Sequence, residues 1–485
     1  MTQLLFADQL GPHFDLGEPI ILVESAGRLA ARQYHWQKAH LILSALRHRA
    51  LDGGVTLIAA DSYREFLAST DATFSVVNPT SFGYRKLVAS DRFEVAPSRG
   101  FVTSEEDWAS WAGSKAGKRL LLEDFYRGSR RRTGLLMEGT EPAGGAWNFD
   151  HENRVPAPKK ASTLPVVAPW YPTEDEIDAE VRRDLTRWQT EGKIRLVGSD
   201  GPRLFAVTRE EALAALDHFI TERLDLFGPY EDAGLKGDWA MAHSLLSVPL
   251  NLGLLDPLEV AKAAEAAYLA GNARLSSVEG FIRQVTGWRD FVWHLYWHFG
   301  EEYLEQNFLG ATTPLPESWE KLEPASIDAA CVSHAVEKTA ERGWLHHIER
   351  LMILGNVALQ RGMNPRQLND WFIDSFVDGT PWVMPANVIG MSQFADGGRM
   401  STKSYVGGGA YISKMTNYCG GCAFDPKVRV GDKACPLTAG YWAFLDKNEG
   451  ALAGNFRMAQ PLAAMRKMVD REVIRDQENQ RGTAL

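Results

Sequence analysis

The chain of 485 residues is 45% apolar and 24% charged, and its formal net charge at pH 7 is −10. This composition excludes a disordered or fibrous chain, and the acidic balance argues against a protein that coats nucleic acid through a uniformly basic surface. The N-terminus lacks the pattern of a secretory signal, and no run reaches about 18 consecutive apolar residues. We therefore expect a soluble cytoplasmic protein of two or three domains with no membrane association.

Residues 1–126 alternate short apolar runs with helical patterns. The runs LLFADQL, IILVES, VTLIAA, FEVAP and KRLLLEDFYR indicate buried strands, and GRLAARQYHWQKAHLILSALRHRALDGG indicates a helix that closes at Gly53 and Gly54. This alternation predicts an α/β domain with a parallel, doubly wound sheet, in which ligands lie at the carboxyl ends of the strands. Those ends include Gln9 and Glu24.

The character of the chain changes twice after this region. Residues 127–173 are rich in glycine, proline and charge, which predicts a connection between domains, and an ordered one because Trp147 and Phe149 need somewhere to bury. Residues 174–485 carry helical patterns without strand signals. We expect an all-helical domain there, with one helix that starts at Asp256 as its N-cap.

Three of the four cysteines lie in the segment NYCGGCAFDPKVRVGDKACP. Its C-x2-C pair places two thiolates on one side of a tight turn, which is half of a tetrahedral metal site. The distant Cys331 is the remaining candidate ligand, and so few cysteines cannot form a disulfide framework. Thiolates suit zinc or an iron-sulfur cluster, and cysteines without a ligand are a further alternative; the spacing alone does not decide.

A second group of residues has the chemistry of a nucleotide site. HSLLSVPLNLG places Ser244 and Ser247 around a short turn, and FIRQVTGWRDF places Arg283 and Arg289 at helical spacing. Hydroxyls, arginines and a flat indole are the groups that a dinucleotide needs. The same residue types are also typical of the surface and core of an ordinary amphipathic helix.

These two runs resemble the flavin-binding domain of the photolyase and cryptochrome family, with its Ser-x-Leu-Ser turn and its F-x-R-Q-x-x-x-W-R-[ED]-[FY] helix. The closer resemblance is to the iron-sulfur bacterial branch, the prokaryotic 6-4 photolyases and their cryptochrome relatives, and it covers essentially the whole chain. It rests on FADQLG, RRRTGLL, PAGGAWNFDHENR, HHIERLMILGN, WVMPANVIGMSQFADGG and NYCGGC with the later ACP. The resemblance implies a Rossmann-like antenna domain at 1–126, a connection at 127–173 and an all-α FAD-binding and iron-sulfur domain at 174–485.

The resemblance also implies three cofactors. A [4Fe-4S] cluster would be held by Cys331, Cys419, Cys422 and Cys435. The residues that would bind FAD are Tyr230, His243, Ser244, Leu246, Ser247, Arg283, Gln284, Trp288, Arg289, Asp378 and Asn387. A 6,7-dimethyl-8-ribityllumazine antenna would contact Gln9, Glu24 and Lys38.

Two histidines and two tyrosines are candidates for contact with a DNA lesion. His346 and His347 are adjacent in a predicted helix, where neighbours point about 100° apart, so at most one faces a shared pocket squarely. By default such a pair is a polar helix face. The resemblance implies instead that His347 donates a proton during repair with His346 beside it, and that Tyr405 and Tyr411 stack on a base, although core packing also accounts for tyrosines.

Two further residues concern the redox chemistry of the flavin. Trp371 resembles a family tryptophan that passes electrons to it. Met384 stands where some relatives carry a carboxylate near flavin N5, and because a thioether accepts no proton, flavin protonation would differ here.

We therefore predict an enzyme: a monomeric, light-driven photolyase that repairs 6-4 photoproducts in UV-damaged DNA. Basic residues between Arg399 and Lys433 would contact the DNA phosphates. A cryptochrome-type blue-light photoreceptor with the same cofactors and no repair activity is the alternative, since a fold does not settle a function. The third alternative is a helical DNA-binding protein that is stabilised by a zinc ion bound to its cysteines.

Overall fold

The computed structural model describes residues 1–485 and opens with a parallel sheet. The strands of the molecule are β1 (Thr2–Leu5), β2 (Ile20–Glu24), β3 (Tyr34–His35), β4 (Val55–Ala59), β5 (Phe74–Val77), β6 (Phe93–Ala96), β7 (Met137–Glu138), β8 (Glu141–Pro142) and β9 (Leu196–Val197). Five of them form the sheet β4-β2-β1-β5-β6, so the chain starts at its centre and winds outward to both edges. The predicted α/β domain is confirmed.

Both faces of the sheet are buried, which explains its apolar sequence. Leu4 and Val76 point into a core that contains α3, whereas Leu5 and Val77 point into the largest core of the molecule. The helices of this half are α1 (Ala26–Ala30), α2 (Trp36–Arg49), α3 (Tyr63–Ala68), α4 (Phe82–Leu87), α5 (Glu105–Gly113) and α6 (Leu122–Thr133).

The structure departs from the predictions at three places within this half. The run KRLLLEDFYR leads into α6 instead of forming a strand, because the acidic residues lie in the first turn of the helix, arginines fill its last turn, and Gly134 ends it at φ 75°. The fifth strand is β5, whose four residues were overlooked. The long helix predicted up to Gly54 is divided into α1 and α2, because Tyr34 and His35 pair with β9.

The second half is helical apart from β9, which confirms the predicted helical domain. Its α-helices are α7 (Glu176–Thr190), α8 (Arg209–Glu222), α9 (Leu224–Tyr230), α10 (Ser247–Asn251), α11 (Pro257–Leu269), α12 (Leu275–Ile282), α13 (Arg289–Phe299), α14 (Glu317–Glu320), α15 (Ala330–Arg342), α16 (Asn356–Arg361), α17 (Pro365–Ser375), α18 (Gly409–Met415), α19 (Pro436–Lys447), α20 (Glu449–Leu452), α21 (Ala459–Arg466) and α22 (Arg471–Arg481). Asp256 caps α11 as predicted, because its side chain accepts hydrogen bonds from the backbone of the first turn.

A buried arginine organises the connection at 127–173 from within. Arg130 is 0% exposed and donates hydrogen bonds to the carbonyls of Leu135, Leu136 and Trp147. Its guanidinium also lies 5.2 Å from the ring of Trp147. These contacts fix the path of the connection, which also contains the β7–β8 hairpin.

The two halves share one core. Leu5 and Leu41 of the α/β domain lie in the same apolar cluster as Leu246 and Phe281 of the helical domain. The helix α7 packs on α2, so the first helix after the predicted boundary at 173 contacts the α/β domain. None of the helices combines the length and apolar character needed to cross a membrane.

Candidate active site and metal centre

The four cysteines line one cavity of the helical domain, which we call the cysteine cavity. Cys331 lies in the first turn of α15, Cys419 and Cys422 lie in the loop after α18, and Cys435 is the N-cap of α19. None of the four forms a disulfide. Most of the remaining wall is apolar, formed by Ala329, Ile412, Tyr418, Phe424, Pro426, Pro436 and Leu437. The fold thus brings the distant Cys331 to the other three.

The sulfur atoms are spread more widely than the ligands of a single metal ion. No three of them lie within 4.8 Å of one another, whereas tetrahedral geometry at a Zn–S distance of about 2.3 Å sets sulfurs about 3.8 Å apart. A β-carbon added to Gly409 would lie 2.8 Å from the Cys435 sulfur, so the backbone of α18 closes on the cavity. The spacing suits a group larger than one ion.

The protein environment changes the acidity of two of the cysteine thiols. Burial, and then the neighbouring cysteines, raise the pKa of Cys331, and burial raises the pKa of Cys419 to about 11. Without a cation these thiols stay protonated at pH 7, and a bound metal would deprotonate them. Cys331 and Cys435 lie at the N-termini of helices of 13 and 12 residues, where the helix dipole favours thiolate.

The adjacent histidines occupy different environments. His346 is 1% exposed, lies just before the helical segment, and stacks on His243 with ring centroids 4.8 Å apart. His347 begins the helix and is exposed. Desolvation of its ring by neighbouring groups, and then the charge of Arg350, lower the pKa of His347 to about 4, so its imidazole is neutral at pH 7. His347 is therefore the member of the pair that a ligand can reach.

Asp378 is the centre of a polar cluster. Ser247 donates a hydrogen bond to its carboxylate at 2.8 Å, and Arg350 donates two, at 2.8 and 3.2 Å. Asn251 donates to its backbone carbonyl at 3.0 Å. The structure thus joins two predicted flavin contacts, Ser247 and Asp378. Arg350 was missed by the sequence analysis, although its place three residues after His347 puts both on one helix face.

Three π-helical segments fall on the predicted site. They are Arg283–Trp288, Glu349–Gly355 and Ala386–Ser392. Such segments are rare and are frequently found at functional sites. Trp288 of the first donates a hydrogen bond to Asn387 of the third at 3.2 Å, which joins two more predicted flavin contacts.

Arg283 in the first π-segment and Arg289 immediately after it both have partners within the protein. Arg289 donates to the carbonyls of Gly100 and Leu250 at 2.7 and 3.1 Å, and burial lowers its pKa to about 10. Arg283 forms an ion pair with Asp150. Gln284 is exposed among buried neighbours. Of these three predicted flavin contacts, Gln284 has the exposed side chain, whereas the Nε atoms of Arg283 and Arg289 are buried without a hydrogen-bond partner.

The serine turn is strained at its centre. Leu245 has φ 60°, a left-handed conformation that is costly for leucine. The Ser244 hydroxyl accepts a hydrogen bond from the Leu246 amide at 3.3 Å, and Ser244 lines a second cavity together with Arg223. Leu246 is buried, so its role is in the core of the turn. Tyr230 is half-buried at the end of α9.

The tyrosine region is rich in charge. Burial raises the pKa of Tyr405, while Arg154 and Arg457 act against that rise. Burial, then Asp232, raises the pKa of Tyr411, and burial raises the pKa of Glu231 to about 8. The sequence analysis missed these carboxylates, because two acidic residues after a helix carry no distinctive spacing.

Trp371 and Met384 lie in one apolar core. The indole of Trp371 donates a hydrogen bond to the Trp319 carbonyl at 2.9 Å, and the two rings are 5.4 Å apart. Trp319 was not selected from the sequence. Met384 is 3% exposed, so its thioether faces the core and not an open pocket.

The three predicted antenna contacts are all engaged inside the protein. The Gln9 amide donates to the Val77 carbonyl at 3.2 Å, and Glu24 accepts two hydrogen bonds from Arg47 at 2.8 and 2.7 Å. Lys38 is buried and donates to the carbonyls of Ile373, Phe376 and Gly379 at the end of α17. The structure therefore gives these side chains roles in the fold and in the contact between domains.

The segment predicted to contact DNA is less available than its sequence indicates. The Arg399 guanidinium lies 4.4 Å from the Phe299 ring, and Arg429 pairs with Asp470 at 2.6 Å. Lys403, Lys427 and Lys433 remain exposed. Arg457, outside the segment, is also exposed, and its charge acts to lower the pKa of Tyr405.

The chain is similar to known proteins along its whole length. Residues 77–194 match the family model described as deoxyribodipyrimidine photo-lyase-related protein. A (6-4) photolyase of Agrobacterium fabrum is 39% identical over 500 residues, which cover 96% of this chain and 95% of that protein. The chain belongs to the photolyase and cryptochrome family, in its iron-sulfur bacterial branch.

Solved structures agree at the level of the fold. A bacterial class III photolyase from Agrobacterium tumefaciens has a TM-score of 0.56 at 17% identity, covering 93% of this chain and 98% of that one. A cryptochrome from Synechocystis sp. PCC6803 has a TM-score of 0.54 at 12% identity, covering 82% of each chain. The parallel-sheet domain followed by a helical domain is thus shared with both photolyases and cryptochromes.

Proposed function

We propose that this protein is a DNA photolyase that uses light to repair 6-4 pyrimidine photoproducts. The observation that carries the proposal is the 39% identity with a (6-4) photolyase over 96% of the chain. The geometry supports it, because the one histidine of the pair that a ligand can reach, His347, lies beside the Arg350–Asp378–Ser247 cluster.

FAD is the proposed cofactor, and when reduced and excited by light it supplies an electron to the lesion. The residues proposed to hold it include Ser244, Ser247, Asp378 and Asn387. The fit is supported by buried polar atoms that have no partner within the protein, the Nε2 atom of His243 and the Nε atom of Arg289, because such atoms suit a ligand with several hydrogen-bonding groups. Trp371 and Trp319, 5.4 Å apart, are the proposed start of the electron path to the flavin.

The chain itself would hold the flipped lesion and supply the proton. Photolyases extrude their target nucleotide from the duplex, at a cost of a few kcal/mol that is lower for a damaged base. Phosphate charge near His347 would raise its pKa from about 4. The resulting imidazolium would donate a proton to the lesion and recover it when the bonds have rearranged. Tyr405 is proposed to stack on the lesion.

A [4Fe-4S] cluster is the proposed occupant of the cysteine cavity. The spacing of the sulfur atoms supports it over zinc, since no three are as close as a single ion requires. The helix N-termini at Cys331 and Cys435 favour the negative charge of a thiolate-bound cluster. Four thiolates are the ligand set that such a cluster takes.

The proposal of a lumazine antenna rests on family resemblance alone, because Gln9, Glu24 and Lys38 form hydrogen bonds within the protein. Extraction of the purified protein with acid, followed by chromatography against a ribityllumazine standard, tests it. We further propose that the protein acts as a monomer in the cytoplasm on UV-damaged DNA.

The photolyase proposal is tested with an oligonucleotide that carries one 6-4 photoproduct. The reduced protein, with measured FAD and iron content, is illuminated beside a dark sample and a cyclobutane-dimer substrate, and restored thymines are followed by chromatography. Repair in light alone is expected. A fully loaded protein that repairs nothing would favour the photoreceptor alternative, which the similarity of fold to a cryptochrome keeps open.

A further inference from the structure

A buried polar network joins the histidine pair to the cysteine cavity. One oxygen of Glu349 accepts hydrogen bonds from Lys338, at 2.8 Å, and from the Tyr418 hydroxyl. Lys338 also donates to that hydroxyl at 3.0 Å. The three side chains come from α15, from the π-segment after His347 and from the loop that carries Cys419, and all three are nearly inaccessible to water.

The second oxygen of Glu349 faces His346. This oxygen lies 3.4 Å from Nε2 of His346, and neither of the two buried atoms makes a hydrogen bond. Nδ1 of His346 is also unpartnered and buried. Burial, and then the charges of Lys338, His347 and Arg350, lower the pKa of His346 well below its ordinary value. The ring is therefore neutral at pH 7, and its single N–H hydrogen lies on either Nδ1 or Nε2.

We propose that Glu349 is a positioning residue that fixes the Nε2–H tautomer of His346. A neutral imidazole beside a carboxylate donates to it, so Nε2 carries the hydrogen and Nδ1 keeps a free lone pair. The tautomer sets which atom of this buried ring is left as a hydrogen-bond acceptor. It also holds the ring in its stack on His243, 4.8 Å away.

The same network makes this arrangement depend on the cysteine loop. Tyr418 precedes Cys419, and its hydroxyl is one of the two donors that fix Glu349. A displacement of this loop would therefore release one anchor of the carboxylate. The inference rests on the proposed function only for its effect on repair.

The tautomer is measured by nuclear magnetic resonance on the holoprotein labelled with 15N-histidine, and His346→Asn assigns the signal among the 12 histidines. The nitrogen shifts of the wild type are expected to show Nε2–H. In Glu349→Gln the amide oxygen stays with Lys338 and Tyr418, so the amide N–H faces His346 and the tautomer inverts to Nδ1–H. Tyr418→Phe, which keeps every charge, is expected to shift the same signal by a smaller amount.

The control is Glu337→Gln, the same change at an exposed carboxylate of α15 that contacts only His334. It should leave the His346 signal unchanged. With FAD and iron at wild-type levels, repair by Glu349→Gln is expected to fall at least about tenfold while the control repairs normally.

An Nδ1–H tautomer in the wild type would overturn the proposal, as would a His346 signal that is the same in Glu349→Gln and Tyr418→Phe as in the wild type. The wild-type spectrum decides the question even where Glu349→Gln does not fold. A protein that shows the expected tautomers and repairs no lesion would contradict the proposed function and leave this inference intact.

Discussion

Arg350 holds the Asp378 carboxylate through both oxygens, at 2.8 and 3.2 Å, while Ser247 donates to one of them at 2.8 Å. The side chains of the ion pair are 13% and 9% exposed, so water screens the pair only weakly. Paired N–H groups on one carboxylate fix its orientation as well as its position. The pair therefore links the helix that begins at His347 to the serine turn, and both belong to the proposed flavin site.

Asp378→Asn should weaken both the fold and the flavin site. The substitution leaves Arg350 buried beside a neutral amide, and losing one partner of a buried pair costs about 3 kcal/mol. We expect the free energy of unfolding in urea to fall by about that amount and the variant to purify with less FAD. Glu305→Gln is the control, because its pair with Arg366 is exposed and should contribute less than about 1 kcal/mol. Wild-type stability and flavin content in Asp378→Asn would contradict the linking role.

His347→Asn should abolish most repair without disturbing the fold. General acid catalysis contributes about a 100-fold to 10,000-fold acceleration, and a loss in this range is expected in single-turnover repair at saturating DNA. FAD binding should be unchanged. His334→Asn is the matched control, since that residue is a histidine of α15 paired with Glu337 at 3.3 Å. Repair by His347→Asn at the wild-type rate would show that the proton comes from another group.

The pH dependence of repair follows from the environment of His347. Its pKa is about 4 in the protein without DNA, so nitrogen shifts of labelled His347 should show a neutral ring at pH 7. Bound phosphates raise that pKa, and the donor is active only when it is protonated. The repair rate should therefore fall as pH rises through the pKa of the DNA complex. A rate that rises with pH over the same range would exclude protonated His347 as the donor.

Gly409→Ala should damage the metal centre without removing a ligand. The added methyl group would lie 2.8 Å from the Cys435 sulfur and 2.8 Å from the Thr438 hydroxyl oxygen. We expect the variant to purify with less than half of the iron of the wild type, which should carry about four atoms per chain for a [4Fe-4S] cluster. Gly407→Ala, in the same glycine run, meets only the flexible end of Met352 at 3.0 Å and should keep its iron. One zinc and no iron in the wild type would contradict the cluster.

The sequence predicted what short motifs encode and missed what the tertiary structure decides. The parallel sheet follows from buried apolar runs, and the cap at Asp256 follows from local chemistry. The strand β5 was missed because four residues are too few for a periodicity to be recognised. The run KRLLLEDFYR was misread because its three leucines satisfy a strand pattern, while the charges at the two ends of α6 determine a helix.

The site residues also divide into those that the sequence predicted and those that only the tertiary structure explains. The motifs and the family resemblance selected Ser247, Asp378, Trp288 and Asn387, which the fold joins in two hydrogen-bonded pairs. Arg350 was not predicted, because its partner, the Asp378 carboxylate, lies 28 residues away in the chain. Lys38 was predicted as an antenna contact from the family resemblance. Only the tertiary structure shows that three carbonyls at the end of α17 use its hydrogens.

His294 should make the stability of the protein depend on pH. Its Nε2–H group donates a hydrogen bond to the Thr103 carbonyl at 3.1 Å, and its ring stacks on Trp108 with centroids 4.8 Å apart. Burial lowers its pKa to about 3, below the value of about 6.5 in the unfolded chain. The unfolded state therefore binds the proton first as pH falls, so the stability from this group is full above about pH 6.5 and is lost toward pH 3.

The loss is measured as a difference between two proteins, because Asp290, whose pKa burial raises to about 7, changes stability in the opposite direction. His294→Gln keeps a hydrogen-bonding group but does not titrate. Urea unfolding at pH 7 and at pH 5 should show that the wild type loses about 2 kcal/mol more than the variant over this range. An equal loss in both proteins would mean that His294 is charged in the folded state, and that its stack on Trp108 lies open to water.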